Sequence, residues 1–259
     1  MFINHCGRRV ATVEQVNAIQ PPPATQSWRP ISHGHVRETA LEMLETRGWK
    51  AEREDYSIGH KGHVMFGVLT FDSIVATGVK LAIGLRNSTN KMFPAGLCAG
   101  DRVMVCDNLL FAGMVTVMHR HTVNILSEFP QRIAEGLARL PQFCENRATQ
   151  IDRLRTTTIS TDQARLLLTR MFEKGMLASA EFSNSLNEWH GAFNSEGKAV
   201  KLSYGGRDRQ PRHPENDEPT LWKIQQAITE SKKPRFLTNA PTAANETMDV
   251  NSYLMETMN

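Results

Sequence analysis

Arg86, Asn87, Ser88, Asn90 and Lys91 follow directly on the apolar run from Val79 to Leu85. These are the side-chain types that grip phosphate and sugar oxygens. A second polar group follows: Asp101, Arg102, Asp107 and Asn108. If the strands between them fold back as a meander, Arg86-Asn87-Ser88 lies near Asp107-Asn108 and the two groups form one anion-binding site. A structural reading competes with this. Asn-Ser-Thr-Asn also makes an Asx-type turn, and Asp107-Asn108 also ends a strand.

The nine histidines include three close pairs, His33/His35, His60/His63 and His119/His121. On a strand, His-x-His puts both rings on one face, a spacing that can hold a metal. No carboxylate stands at i+4 of any pair and His-Glu-x-x-His is absent, so no metal ligand is assigned. A metal-dependent enzyme using these pairs remains as an alternative. His119-Arg120-His121 also has the types to touch phosphate. Basic residues interleave with aromatics at Trp49, Lys50, Arg53, Tyr56, Lys61 and Phe66, a pattern that can stack bases and follow a nucleic-acid backbone. Glu52, Glu54 and Asp55 dilute it. The most basic stretch is Arg207-Asp208-Arg209-Gln210-Pro211-Arg212-His213. The candidate nucleic-acid contacts are Lys50, Arg53, Lys61, Lys80, Arg86, Asn87, Ser88, Lys91, Arg102, Asn108, His119, Arg120, Arg207 and Arg209.

Gly-x-Gly-x-x-Gly, a Walker P-loop, Gly-x-Ser-x-Gly and Cys-x-x-Cys are all missing. No cofactor and no catalytic residue are assigned. The net charge of +3 neither requires nor excludes a nucleic-acid partner, so charge distribution matters more than the total. Cys6, Cys98, Cys106 and Cys144 read as reduced thiols in a cytoplasmic protein. The start of the chain lacks the apolar core of a secretory signal, and no apolar run is long enough to span a bilayer.

The elements that must position these residues follow from periodicity. With 40% hydrophobic residues, the 259-residue chain can bury a sizeable core. A short helix is expected within residues 1–18, before the Pro-rich linker at Gln20–Ser27. Residues 35–47 read as an amphipathic helix, with Ser32 as N-cap and Gly48 as stop. From 49 to 118 the period is two, with strands at 49–56, 63–71, 77–86, 92–97 and 102–106. Short connections make the pairing antiparallel. After 118 the pattern turns helical: 126–140, 147–158, a helix capped by Ser160-Thr161-Asp162, 183–193, and a last helix from Pro219 to about Ser231. Residues 203–219 read as a polar loop. The fold class is α+β, an antiparallel sheet packed by helices and followed by a mainly helical C-terminal half. The expected regions are a segment and linker at 1–27, an α+β core at 28–118, a helical region at 119–235 and a flexible tail at 236–259.

The helix ending at Gly48-Trp49, the strand Gly62-His63-Val64-Met65-Phe66, the turn Arg86-Asn87-Ser88, the strand end Val105-Cys106-Asp107-Asn108 and the late helix Thr220-Leu221-Trp222…Ala227-Ile228-Thr229-Glu230 occur in that order. This order resembles the domain-of-unknown-function 932 family, the phage/plasmid-like proteins, over residues 33–231. Many members carry His-Asp after the Asn-Ser, where this chain has Thr89-Asn90. The resemblance implies a mobile-element setting in a bacterial host cell and supplies no activity. The reading placed first is a non-enzymatic nucleic-acid-binding protein, with single-stranded DNA favoured over duplex. It would act in replication or recombination and self-associate along its substrate. An anti-defence protein that binds a host protein or a small nucleotide is the other alternative.

Overall fold

The computed structural model describes residues 9–103, 108–190, 192–193, 199–200, 202–204, 207–209, 220–238 and 249–256. It is α+β, as expected, and divides into two compact units, residues 1–146 and 147–259.

The first unit is built on a six-stranded antiparallel meander in sequence order: β1 Arg9–Ala11, β2 Ala51–Gly59, β3 Val64–Ala76, β4 Val79–Ser88, β5 Ala95–Val103 and β6 Asn108–His119. Short connections between β2 and β6 dictate this order, since a parallel crossover needs a dozen or more residues. Val79, Leu81, Ile83, Leu85 and Asn87 share one face of β4, while Lys80, Ala82, Gly84, Arg86 and Ser88 share the other. α1 Val13–Ala18, α2 His33–Glu45 and α3 Ile125–Leu137 supply the helical layer. Val36, Ala40 and Leu44 of α2 and Phe129, Ile133 and Leu137 of α3 are buried at helical spacing.

Caps and one ionic contact fix the helices. The Thr12–Gln15 capping box closes α1, and the Ser32 hydroxyl accepts from the His35 amide at the start of α2. Arg37 on α2 donates two hydrogen bonds to Glu54 on β2, at 2.7 and 2.9 Å, and the Tyr56 hydroxyl donates to the same carboxylate at 2.6 Å. Burial raises the Glu54 carboxyl, but these hydrogen bonds outweigh it and hold it below its ordinary value. Burial and the Glu54 bond push the Tyr56 hydroxyl well up.

The second unit contains residues 147–156 of α4 Leu140–Thr156, then α5 Thr161–Glu173, α6 Ser179–His190, α7 Leu221–Thr238 and a closing helix at 249–256. Its core joins Leu154, Leu168, Met171, Trp189, Ile224, Ile228, Val250 and Leu254. Val250 and Leu254, four residues apart, give the closing helix a buried face, so the expectation of a flexible tail fails for 249–256. Where a polar loop begins in the sequence reading, Leu202–Tyr204 (β9) pairs with Arg207–Arg209 (β10). β7 Ala192–Phe193 and β8 Ala199–Val200 form another short pair. α7 carries buried Gln225, Thr229, Glu230, Ser231 and Lys232. Gln225 donates to Asn251 and accepts from Arg147, and Lys232 reaches the Met176 carbonyl at 2.9 Å and Glu181 at 3.3 Å.

Gly67 shows how closely the sheet face is packed. A Cβ there would lie 2.5 Å from Tyr56 Cε1, on a ring held by burial and by Glu54. Gly67→Ala should therefore lose stability by about 1–3 kcal/mol. Urea denaturation checks this; an unchanged midpoint would contradict the packing.

Candidate functional site

Four segments meet at one end of the meander: residues 28–33, 60–63, 88–94 and 119–124. Their junction is a set of hydrogen bonds around Ile31. The Arg29 amide donates to the His121 carbonyl at 3.0 Å. The Ile31 amide donates to His121 Nδ1 at 3.2 Å. Asn87 Nδ2 donates to the Ile31 carbonyl and to His33 Nδ1, both at 3.0 Å. His33 Nε2 donates to the Gly62 carbonyl at 2.9 Å. The Thr89 amide donates to the His63 carbonyl at 2.9 Å, beside a 3.1 Å contact between His63 Nδ1 and Thr89 Oγ1.

These contacts fix the tautomers. Each of His33 and His121 accepts at Nδ1, so each is neutral with its proton on Nε2. Burial holds His33 below the ordinary imidazole range and pushes His121 down to about 4. His119 differs. Its Nδ1 lies 2.6 Å from the Arg120 carbonyl and its Nε2 lies 2.7 Å from Glu128. The bond from His119 holds the Glu128 carboxyl below its ordinary value.

The rim of this end is cationic. Arg29, Lys61, Lys91 and Arg120 are exposed and Arg86 is half-buried. None of the five forms an ion pair among the described residues. The four segments contain no Asp or Glu. Two aromatic rings stand among the cations: Lys91 Nζ lies 4.7 Å from the Trp28 ring centre, and the Arg86 guanidinium lies 4.9 Å from that of Phe93. Burial lowers Arg86 to about 10, which leaves it charged at neutral pH. Arg86 Nε is itself buried without a hydrogen-bond partner among the described residues.

The opposite end of the sheet is electrically different. Lys80 pairs with Glu52 at 2.5 Å and Asp72 at 3.0 Å, Arg53 with Asp55 at 2.8 Å, and Arg102 with Asp55 at 3.3 Å. Arg102 also donates to Thr70 at 3.1 Å.

The candidate residues therefore separate. Lys61, Arg86, Lys91 and Arg120 come together at the cationic end. Asn87, Ser88 and His119 are there too, but buried in structural bonds. The Ser88 hydroxyl bridges the amide and carbonyl of Phe93, both at 3.0 Å, and Asn90 accepts from the Met92 amide at 3.4 Å, so the Asx-type turn is present. Arg53, Lys80 and Arg102 lie at the acidic end, and Lys50 is exposed just before β2. Asn108 does not approach Arg86. It pairs with Val103, which pairs with Val79, so β4 separates them by seven residues, roughly 23 Å. The meander carries the two polar groups to opposite ends, because β5 runs back along the whole of β4. Asp107 and the side chains of Asn108, Arg207 and Arg209 lie outside the described residues. Tyr56 and Phe66 are buried, so they offer no stacking face.

Among the described residues no group of three or more His, Cys, Asp or Glu is placed to hold a metal. Burial raises the Cys98 and Cys144 thiols to about 11, which suppresses thiolate chemistry. No described helix is long and apolar enough to cross a membrane. Trp28, Arg29 and Phe93 are rim residues that the sequence reading did not single out. The pair Trp28-Arg29 directly after the Pro-rich linker was the available signal.

No family model, curated protein or solved structure matches the chain.

The junction yields a paired test. Asn87→Ala leaves the Ile31 carbonyl and His33 Nδ1 buried without their donor, and should cost roughly 1–3 kcal/mol for each orphaned group. Ser57, whose buried hydroxyl has no partner among the described residues, provides the contrast: Ser57→Ala should be neutral or stabilising. Denaturant midpoints of the two variants check both.

Proposed function

We propose that the chain is a non-enzymatic nucleic-acid-binding protein that holds single-stranded DNA at the cationic end of its sheet. One observation carries the reading: four cations in four converging segments and Arg86 beside them, none with an ion pair among the described residues, together with two aromatic rings and no carboxylate in those segments. Phosphates would lie along Arg29, Lys61, Lys91, Arg120 and Arg86, where the four segments supply no acid to compete. Bases would stack against Trp28 and Phe93, each stack contributing about 1–3 kcal/mol. A single strand is favoured because its unstacked bases can reach rings set among loops. None of the four segments presents a recognition helix to a groove.

The resemblance to phage/plasmid-like proteins supports membership of that family and a mobile element as the source. Replication or recombination in the bacterial cytoplasm is the setting we propose. Self-association along the strand fits β6, a twelve-residue edge strand.

Fluorescence anisotropy with a labelled single-stranded oligonucleotide tests the reading. If four or five phosphates are neutralised, log affinity should fall against log salt with a slope near −3, about 0.7 per phosphate. Lys91→Ala with Arg120→Ala should reduce that slope by about 1.4. Lys80→Ala, at the acidic end, should leave it unchanged. Absence of binding at ~50 mM salt, where phosphate contacts are strongest, would sink the reading.

A further inference from the structure

We propose that residues 28–33 form a proton-sensitive strap, held to the sheet by His33 and His121 as neutral imidazoles and released with Trp28 and Arg29 when those rings are protonated.

Five hydrogen bonds attach the strap to the sheet and its turns: Arg29 amide to His121 carbonyl, Ile31 amide to His121 Nδ1, Asn87 to the Ile31 carbonyl, Asn87 to His33 Nδ1, and His33 Nε2 to the Gly62 carbonyl. Two of them use an imidazole lone pair as acceptor. A proton on that nitrogen turns it into a donor facing another donor, the Ile31 amide or the Asn87 amide. Asn87 cannot resolve the conflict by rotating its carboxamide, because Nδ2 must also serve the Ile31 carbonyl. Both rings are at least 95% buried, so water cannot take over the lost bonds in place.

Among the described residues no carboxylate is bonded to either ring. Around His33 stand His63 on the turn and His121 after β6; Arg37, one turn along α2, is paired with Glu54. His33 is also the first residue of α2, at the positive end of the helix dipole. Around His121 stand His33, His119, Arg29 and Arg120. Glu128 on α3 is already bonded to His119, and Glu54 on β2 to Arg37. The absence of carboxylates that makes the rim attractive to phosphate also makes a proton on either ring costly.

The direction follows. The attached strap refuses protons that a released strap takes up at the ordinary imidazole value of about 6.5. Attachment is therefore fully favoured above that pH. It weakens progressively as pH falls towards about 4, the value to which burial pushes His121, and reforms as pH rises. The consequence for DNA binding rests on the function proposed above; the release itself does not.

The test uses the full chain labelled with 5-fluorotryptophan, which carries four tryptophans. The Trp28 fluorine signal is assigned with Trp28→Phe and followed from about pH 7.5 to about pH 4, spanning the ordinary imidazole value. The expected result is that Trp28 moves towards the shift of a solvated indole while Trp49, Trp189 and Trp222 hold theirs. In His121→Asn the Asn side-chain oxygen can accept from Ile31 and does not titrate, so the Trp28 transition should shrink or move to lower pH. His33→Asn gives the same comparison if that variant does not fold. The proposal is overturned if Trp28 stays fixed in the folded protein, if it moves only together with the other three, or if the substitutions leave its transition unchanged. Parallel anisotropy separates the two ideas: release of Trp28 in a protein with no DNA affinity keeps the strap and removes the function.

Discussion

A buried peptide group needs partners for both its amide and its carbonyl, and for Ile31 those partners are two side chains from distant strands. His121 takes the amide and Asn87 serves the carbonyl. Asn87 is held in turn by His33, and His33 by the turn at Gly62. This chain of bonds brings the segment after the Pro-rich linker, the β2–β3 turn, the β4–β5 turn and the end of β6 to one place. Every group in it is neutral, so it costs no buried charge. Its sequence separations reach 90 residues, which makes the arrangement a product of the whole meander rather than of any one motif.

The same meander sorts charge along its length. At one end acids and bases are interleaved on neighbouring strands and neutralise each other, as Lys80 does with Glu52 and Asp72. Exposed pairs of that kind contribute little to stability. At the other end the turns carry cations alone, and their nearest favourable partners are aromatic faces. An unneutralised cluster of this sort is a standing cost in self-repulsion, which an anionic partner removes.

Much of this was legible in the sequence. The alternation Val79, Leu81, Ile83, Leu85 announces β4, and short connections announce antiparallel order. Ser32 and Ser160 mark helix starts that the structure keeps. The site was legible in part. Arg86, Lys91, Lys61 and Arg120 were singled out by type, but their convergence depends on where β5 and β6 turn, which residue spacing does not fix. Spacing also suggests that Asn87 and Arg86 act together. β4 runs on through Ser88, so period-two geometry puts them on opposite faces. The histidine pairs misled in a different way, since His33 and His121 work across the fold and not within their own pairs. In the second unit, Gln225 and Lys232 of the last helix are buried because Arg147, Asn251 and Glu181 supply partners, which helical spacing does not fix.

We propose that the cationic end of the sheet is where this protein meets its partner. Amide chemical-shift mapping of the isotopically labelled chain against a single-stranded oligonucleotide tests it most directly. The shifts should move at residues 28–33, 60–63, 86–93 and 119–123, while 51–55, 72–80 and 101–103 stay in place. Perturbation centred on the acidic end, or confined to residues 147–256, would contradict it.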